Sequence, residues 1–303
     1  MSRTAAYLRL MRPANIVTAI ADIALGFAAS GALLAVPSWD LSVLGTSYMQ
    51  TLYWLILSTI GLYGGGVVFN DVFDAELDSV ERPERPIPSG LATMQGAITL
   101  GAILLIGGII AAWQVSGLSA LIATAVAGLA LLYDWKGKHQ HILGPVNMGA
   151  CRGGNLLLGV SAVPAAVSEL WYLALIPVVY ISAITMISRG EVHGGNPKAL
   201  KGAVLLYAIV IGGIVALASL PDFTIWYSLP FLLLFCYLIF PPLFKAIPAQ
   251  EPRLIMKAVK AGVVALIAMD ASIAAGFAGW PYGLAVLFLL PISILVAKSF
   301  AVT

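Results

Sequence analysis

Ten apolar runs, each close to the roughly 20 residues a helix needs to cross a hydrocarbon layer, occupy most of this 303-residue chain. They lie near 13–35, 51–69, 92–113, 117–133, 146–166, 170–188, 201–220, 224–244, 260–279 and 283–299. Lipid offers no partner to a free backbone amide, so such runs fold as helices or as closed barrels. Their continuous, non-alternating hydrophobicity excludes the barrel. The expected fold is all-α, a polytopic transmembrane bundle. With 60% hydrophobic and 10% charged residues and a mean hydropathy of +0.97, no stretch is left for a soluble domain, and residues 1–303 read as one unit. The N-terminal basic residues followed by an apolar run mimic a secretory leader, but the run is too long and more runs follow, so it is expected to stay as the first span. A net charge of +2 without a basic stripe excludes nucleic acid as a partner, and no obligatory protein partner is implied. Cys151 and Cys236 sit far apart in apolar sequence and read as packing residues.

Lysine and arginine collect in cytoplasmic loops. Here they fall on one face: Arg3, Arg9 and Arg12 before the first run, Arg82 and Arg85 after the second, and Lys136 and Lys138 after the fourth. Arg189, Lys198 and Lys201 follow the sixth, Lys245, Arg253, Lys257 and Lys260 the eighth, and Lys298 ends the last. The opposite loops hold only Asp40, Glu169 and Asp222. The N-terminus and the long polar loops at 70–90, 134–145, 189–200 and 245–259 are therefore expected on the cytoplasmic side of an inner membrane, and the chemistry with them. Trp54, Trp113 and Trp171, near run ends, read as interfacial anchors. Clustered glycines such as Gly64, Gly65 and Gly66 fit close helix approach.

The stretch after the second run carries the most chemistry. If the helix continues through it, Asp71, Asp74 and Asp78 stand at i, i+3 and i+7, and Asn70 joins them one turn before Asp74. Like charges gathered at a helix C-terminus oppose the macrodipole, so the arrangement calls for a cation. Mg2+ takes oxygen from one or two carboxylates plus substrate phosphates, which makes a metal and diphosphate site the natural inference. Glu76 points off that face. Pro83, Pro86 and Pro88 then break the helix, and Gly90 closes a turn that returns Arg82 and Arg85 towards the acids.

N-D-x-x-D-x-x-x-D followed by R-P-x-R-P-x-P-S-G, with R-P-A-N at 12–15 and N-M-G-x-C-R-G-x-N at 147–155, resembles the UbiA superfamily of intramembrane prenyltransferases, as a divergent member. The resemblance implies a helical bundle of nine or ten spans around a central, laterally open cavity. It implies Mg2+ as cofactor, an isoprenyl diphosphate and a small acceptor as substrates, and membrane lipid around them. Asn70, Asp71, Asp74 and Asp78 are then the metal site, with Asp71 and Asp74 catalytic, and Asn15 and Arg82 bind substrate. Tyr133 and a following lysine would meet the diphosphate, either Lys136 or Lys138, of which Lys138 is favoured. In the fifth run Arg152 is catalytic, as is Lys138, and Asn155 binds substrate, with a structural ion pair as the alternative for Arg152.

Where the family carries a second aspartate pair, this chain reads S-R-G-E-V-H-G-G-N from Ser188. Only Glu191 is acidic, so it is the remaining second-site metal ligand, with Arg189 and His193 facing diphosphate directly. His139, His141 and His193 lack the spacing of a zinc set. Two further acids lie inside runs: Asp22 as an acceptor-pocket residue, and Asp270 either in that pocket or paired with Arg152. The expected activity is Mg2+-dependent isoprenyl transfer to an aromatic acid or a polyol- or sugar-like acceptor. A secondary transporter and a catalytically degenerate scaffold of the same fold are the rival readings.

Overall fold

The computed structural model describes residues 3–35, 46–190 and 197–299. In chain order its helices are α1 (Arg3–Leu10), α2 (Pro13–Ala29), α3 (Ser47–Phe73), α4 (Ala75–Glu81), α5 (Met94–Trp113), α6 (Gly117–Trp135) and α7 (Leu143–Val160). There follow α8 (Pro164–Leu170), α9 (Leu175–Ser188), α10 (Pro197–Ala216), α11 (Ile225–Ala249), α12 (Pro252–Ala278), α13 (Trp280–Leu287) and α14 (Leu289–Ser299). Among the described residues there is no strand.

Local chemistry sets the starts. Thr46, Thr93 and Ser116 cap α3, α5 and α6, each side-chain oxygen accepting a backbone N–H of the first turn, from Met49, Gly96 and Ser119. Proline at the first turn starts α2, α8 and α12, where its missing N–H costs nothing. Pro230, Pro241, Pro242 and Pro248 all lie within α11, a density a soluble helix would not survive.

Among the described residues, eight helical segments are long and apolar enough to cross a membrane, nine when α1 and α2, bent by 41°, are taken as one. Helix α7 is the exception, because Arg152, Asn155 and its glycines lower its hydropathy. Its buried face packs inside the bundle instead of against lipid. The last two apolar runs are separate elements. The hydroxyls of Tyr282 and Ser293 donate to the carbonyls of Ala24 and Ala14, each at 3.0 Å, so the α13–α14 arm runs antiparallel to α2. Helix α12 is the most enclosed span, 72% of its apolar window buried, against 17% for that arm.

Backbones meet most closely where α2 crosses α7. A Cβ on Gly26 would lie 2.3 Å from the Leu156 carbonyl oxygen, and one on Gly159 would lie 2.6 Å from that of Ile23. Backbone cannot step aside, so Gly26→Ala pushes the helices apart one turn from Asp22. A cost of about 1–3 kcal/mol is expected for such overpacking. It should appear as a lower melting temperature of the detergent-solubilised protein, and an unchanged melting point would contradict the close crossing.

Candidate active site

A cavity of about 300 Å³ lies among α2, α3, α6, α7, α9 and α12, at the end of the bundle where the basic residues gather. Arg12, Asn15, Asn70, Tyr133 and Asp134 line its mouth. Leu62, Val126, Ile181, Val263 and Leu266 make the deeper walls apolar. A second cavity of about 440 Å³ opens at the opposite end, where Glu169 and Asp222 are the charged lining and no lysine or arginine lines it. Only the first joins charge suited to a phosphate with room suited to a hydrocarbon.

Helix α3 ends at Phe73 and α4 starts at Ala75, so the expected continuous helix is interrupted at Asp74. Asp74 keeps a helical φ of −91° and ψ of −2°, and the i, i+7 relation survives the break. The Arg85 guanidinium spans it, 3.4 Å from Asp71 Oδ1 and 2.6 Å from Asp78 Oδ2. Arg82, expected in that role, is exposed, as are Glu76 and Glu81. The turns after α4 carry Arg85 back, with the Arg85 and Ser89 amides donating to the carbonyls of Arg82 and Arg85.

Arg12 approaches from the other side, 2.5 Å from Asp71 Oδ1 and 3.3 Å from Asn70 Oδ1. Its backbone is left-handed, with φ at 48° and ψ at 64°. The following Pro13 disfavours the right-handed helical region at Arg12, and a non-glycine residue held there stores strain of the kind found at functional positions. Lys138 pairs with Asp74, while Lys136 lies over the Trp135 ring at 4.3 Å, so of the two lysines Lys138 is the one at the acids. Asn70 completes the mouth by donating its amide to Asp134 Oδ1 at 2.9 Å.

Deeper in, Arg152 forms a buried ion pair with Asp22, Nε lying 2.9 Å from Oδ2, and Nη2 donates to Oδ1 at 3.0 Å. The same guanidinium donates to the Thr18 carbonyl and hydroxyl. Asn155 donates to Asp22 Oδ2 and to the Ala19 carbonyl, each at 2.9 Å, and accepts from the Thr59 hydroxyl. The structural ion pair is thus present, although Arg152 and Asn155 still reach the cavity wall. Asp270 is fully buried, faces Asp22, and has no hydrogen bond to either oxygen.

Arg189 is exposed and donates to the backbone carbonyls of Gln140 at 2.6 Å and His141 at 2.8 Å, tying the end of α9 to the loop before α7. Glu191 and His193 lie outside the described residues. Both cysteines are free. Arg12 and Asp134 are not among the expected site residues, whereas Arg85 lies beside the acids as the proline-rich turn predicts. Arg12 and Asp134 share one signal, a charged residue at a helix end on the basic face.

The donors suit a small hard cation, being carboxylate and amide oxygens without thiolate or imidazole. No three Asp, Glu, His or Cys side chains among the described residues converge as a ready cage, because Arg12, Arg85 and Lys138 occupy the acids. Mg2+ needs only one or two carboxylates when phosphate and water complete its shell, so the donor chemistry fits.

Residues 24–253 match the UbiA prenyltransferase family. A digeranylgeranylglyceryl phosphate synthase of Methanoculleus marisnigri is 28% identical over 239 residues, 75% of this chain and 80% of that protein. Among solved structures, one described as digeranylgeranylglyceryl phosphate synthase aligns over 92% of this chain and 99% of its own, with a TM-score of 0.65 at 22% identity. A UbiA homologue from Archaeoglobus fulgidus bound to DMAPP and Mg2+ aligns over 93% and 99%, with a TM-score of 0.64 at 15% identity. These likenesses favour the enzyme over the transporter and the inactive scaffold. With its motifs, its helical bundle and the match over most of its length, this chain belongs to the UbiA prenyltransferase family.

Proposed function

We propose that this prenyltransferase moves an isoprenyl group from an isoprenyl diphosphate to a hydroxyl of a small phosphorylated polyol, with Mg2+ at Asn70, Asp71, Asp74 and Asp78. The observation that carries the reading is a cluster of three paired aspartates and three bases, joined through Arg12 and Asn70 to the rim of a cavity with apolar deeper walls. When bound, Mg2+ would neutralise charge developing on the leaving diphosphate. Arg12, Arg85 and Lys138 neutralise the acids in this structure, and they are the bases free to turn to diphosphate oxygens once those acids take a metal. Asn15 and Tyr133 border the same space and would orient the headgroup, while Leu62, Val126 and Leu266 receive the tail and keep water from the allylic carbon. The allylic C–O bond breaks, a bond to the acceptor oxygen forms, and diphosphate and a proton are released.

The polyol acceptor is supported by the relatives' names and by Arg152. That guanidinium is already bound to Asp22, which suits hydroxyls beside Thr18 and Asn155 better than the carboxylate of an aromatic acid. Glu191 would serve as a second-site acid, and His193 with Arg189 and Arg82 would bind diphosphate oxygens. The run of basic loops supports a cytoplasmic mouth in an inner membrane, with residues 1–303 working as one unit.

The test supplies purified full-length protein with Mg2+ and geranylgeranyl diphosphate, and offers monoprenyl glycerol phosphate or 4-hydroxybenzoate in separate reactions read by mass spectrometry. Prenylated glycerol phosphate is expected. Product only from hydroxybenzoate would overturn the polyol acceptor, and product from neither would overturn both acceptor classes.

A further inference from the structure

One acid of the mouth is answered by no base. Asp134 closes α6, faces the cavity across from α3, and is only 4% exposed. Among the described residues, Asp22, Asp71, Asp74 and Asp78 each have an ion-pair partner, and Asp134 has none. Its two nearest cationic neighbours are committed elsewhere, Lys138 to Asp74 and Arg12 to Asp71. Among the described residues, the amide of Asn70 is the one side-chain donor to it. A carboxylate withdrawn from water is costly without a cation or several donors. A side chain with no packing need for charge, held at the mouth of a phosphate-suited cavity, points to a cation that arrives with the ligand.

Position says which cation. Asn70 accepts from Arg12 through Oδ1 and donates its Nδ2 to Asp134, so an acid from another helix stands one amide group away from the oxygen expected to meet the metal. The 189–196 segment offers a single acid, Glu191, in the stretch from which a second group of ligands was expected. We propose that Asp134 is a further ligand of the divalent cation, so that α6 supplies from across the cavity the negative charge that 189–196 lacks. The proposal rests on the metal-and-diphosphate reading of the mouth given above.

Binding, rather than turnover, tests it. Full-length protein in detergent is titrated with Mn2+ in the presence of inorganic pyrophosphate, and bound metal is read by electron paramagnetic resonance. Asp134→Asn keeps an acceptor for Asn70 and removes only the charge, and is expected to weaken Mn2+ binding about tenfold or more. Asp74→Asn, measured in parallel, separates the two readings. If Asp74→Asn weakens binding and Asp134→Asn does not, Asp134 merely orients Asn70 and the proposal is overturned while the site stands. If the unaltered protein binds no Mn2+, or Asp74→Asn leaves binding intact, the underlying site reading is overturned and the proposal with it. Should Asp134→Asn fail to fold, Asp134→Cys under reducing conditions gives a second answer: a thiolate ligand shifts preference from Mn2+ to Cd2+. An unshifted preference would overturn the assignment.

Discussion

Asp74→Asn should lower prenyl transfer on the order of 10²–10³-fold while leaving the melting temperature of the detergent-solubilised protein within a few degrees of the parent. The split follows from where Asp74 sits. It occupies the break between α3 and α4, yet its side chain caps neither helix, so the local backbone does not need it. Its one ion pair, with Lys138, lies at the mouth, where the two side chains keep 19% and 15% of their exposure. The cavity beside the pair lets the lysine turn to solvent when its partner is lost, and Asn keeps an acceptor for it, so no charge is left enclosed. Activity has no such substitute, because an amide binds a hard divalent cation more weakly than a carboxylate does and brings no charge against the diphosphate. Chelation of divalent metal with EDTA should reproduce the loss in the parent and add little in the variant. Transfer within tenfold of the parent, or full activity in EDTA, would remove Asp74 from the metal site.

The bundle was legible wherever the solvent of a helix is lipid. Each apolar run reappears as helix, the last as the two pieces α13 and α14, though α3, α10 and α12 start four to eight residues earlier, since a polar or charged first turn hides a helix start from hydropathy. Helix α7 was legible for the opposite reason: its polar residues mark a helix facing other helices. At the site, the spacing of Asp71, Asp74 and Asp78 announced the mouth, because i, i+3 and i+7 act within one element. Of the two arginines that the proline-rich turn is expected to return, only Arg85 reaches the acids, since the choice depends on how those turns fold back. The Arg12–Asp71, Lys138–Asp74 and Asn70–Asp134 pairings join residues 59, 64 and 64 positions apart, so only packing could reveal them. Arg152 shows the limit of a motif: a basic residue in a family string marks a polar interior, and the neighbour Asp22, 130 positions away, fixes what the base does there.

That pairing carries the second large effect. Asp22 is fully buried, Arg152 is 5% exposed, and Asp270 faces them with neither oxygen hydrogen-bonded. One base therefore stands between two fully buried acids, with only its edge at the cavity wall. Arg152→Ala removes the base and leaves Asp22 with the Asn155 amide as its remaining side-chain donor beside a second carboxyl. Breaking a buried pair from one side costs about 3–5 kcal/mol, because the surviving charge keeps its desolvation penalty and loses its attraction. The Thr18 carbonyl and hydroxyl lose their partner as well. The melting temperature in detergent should fall by several degrees, far more than for Asp74→Asn. Asp22→Asn combined with Arg152→Gln, which removes both charges and keeps donors and acceptors, should recover most of the loss, so the two positions should couple strongly in a double-mutant cycle. Additive losses would mean that the pair contributes nothing as a pair. An Arg152→Ala protein as stable as its parent would mean that Asp22 finds another cation in the fold. The direction of the recovery also separates roles: if stability returns in the double variant and transfer does not, Arg152 acts on substrate as well as on Asp22, whereas joint recovery leaves it a scaffold for the cavity floor.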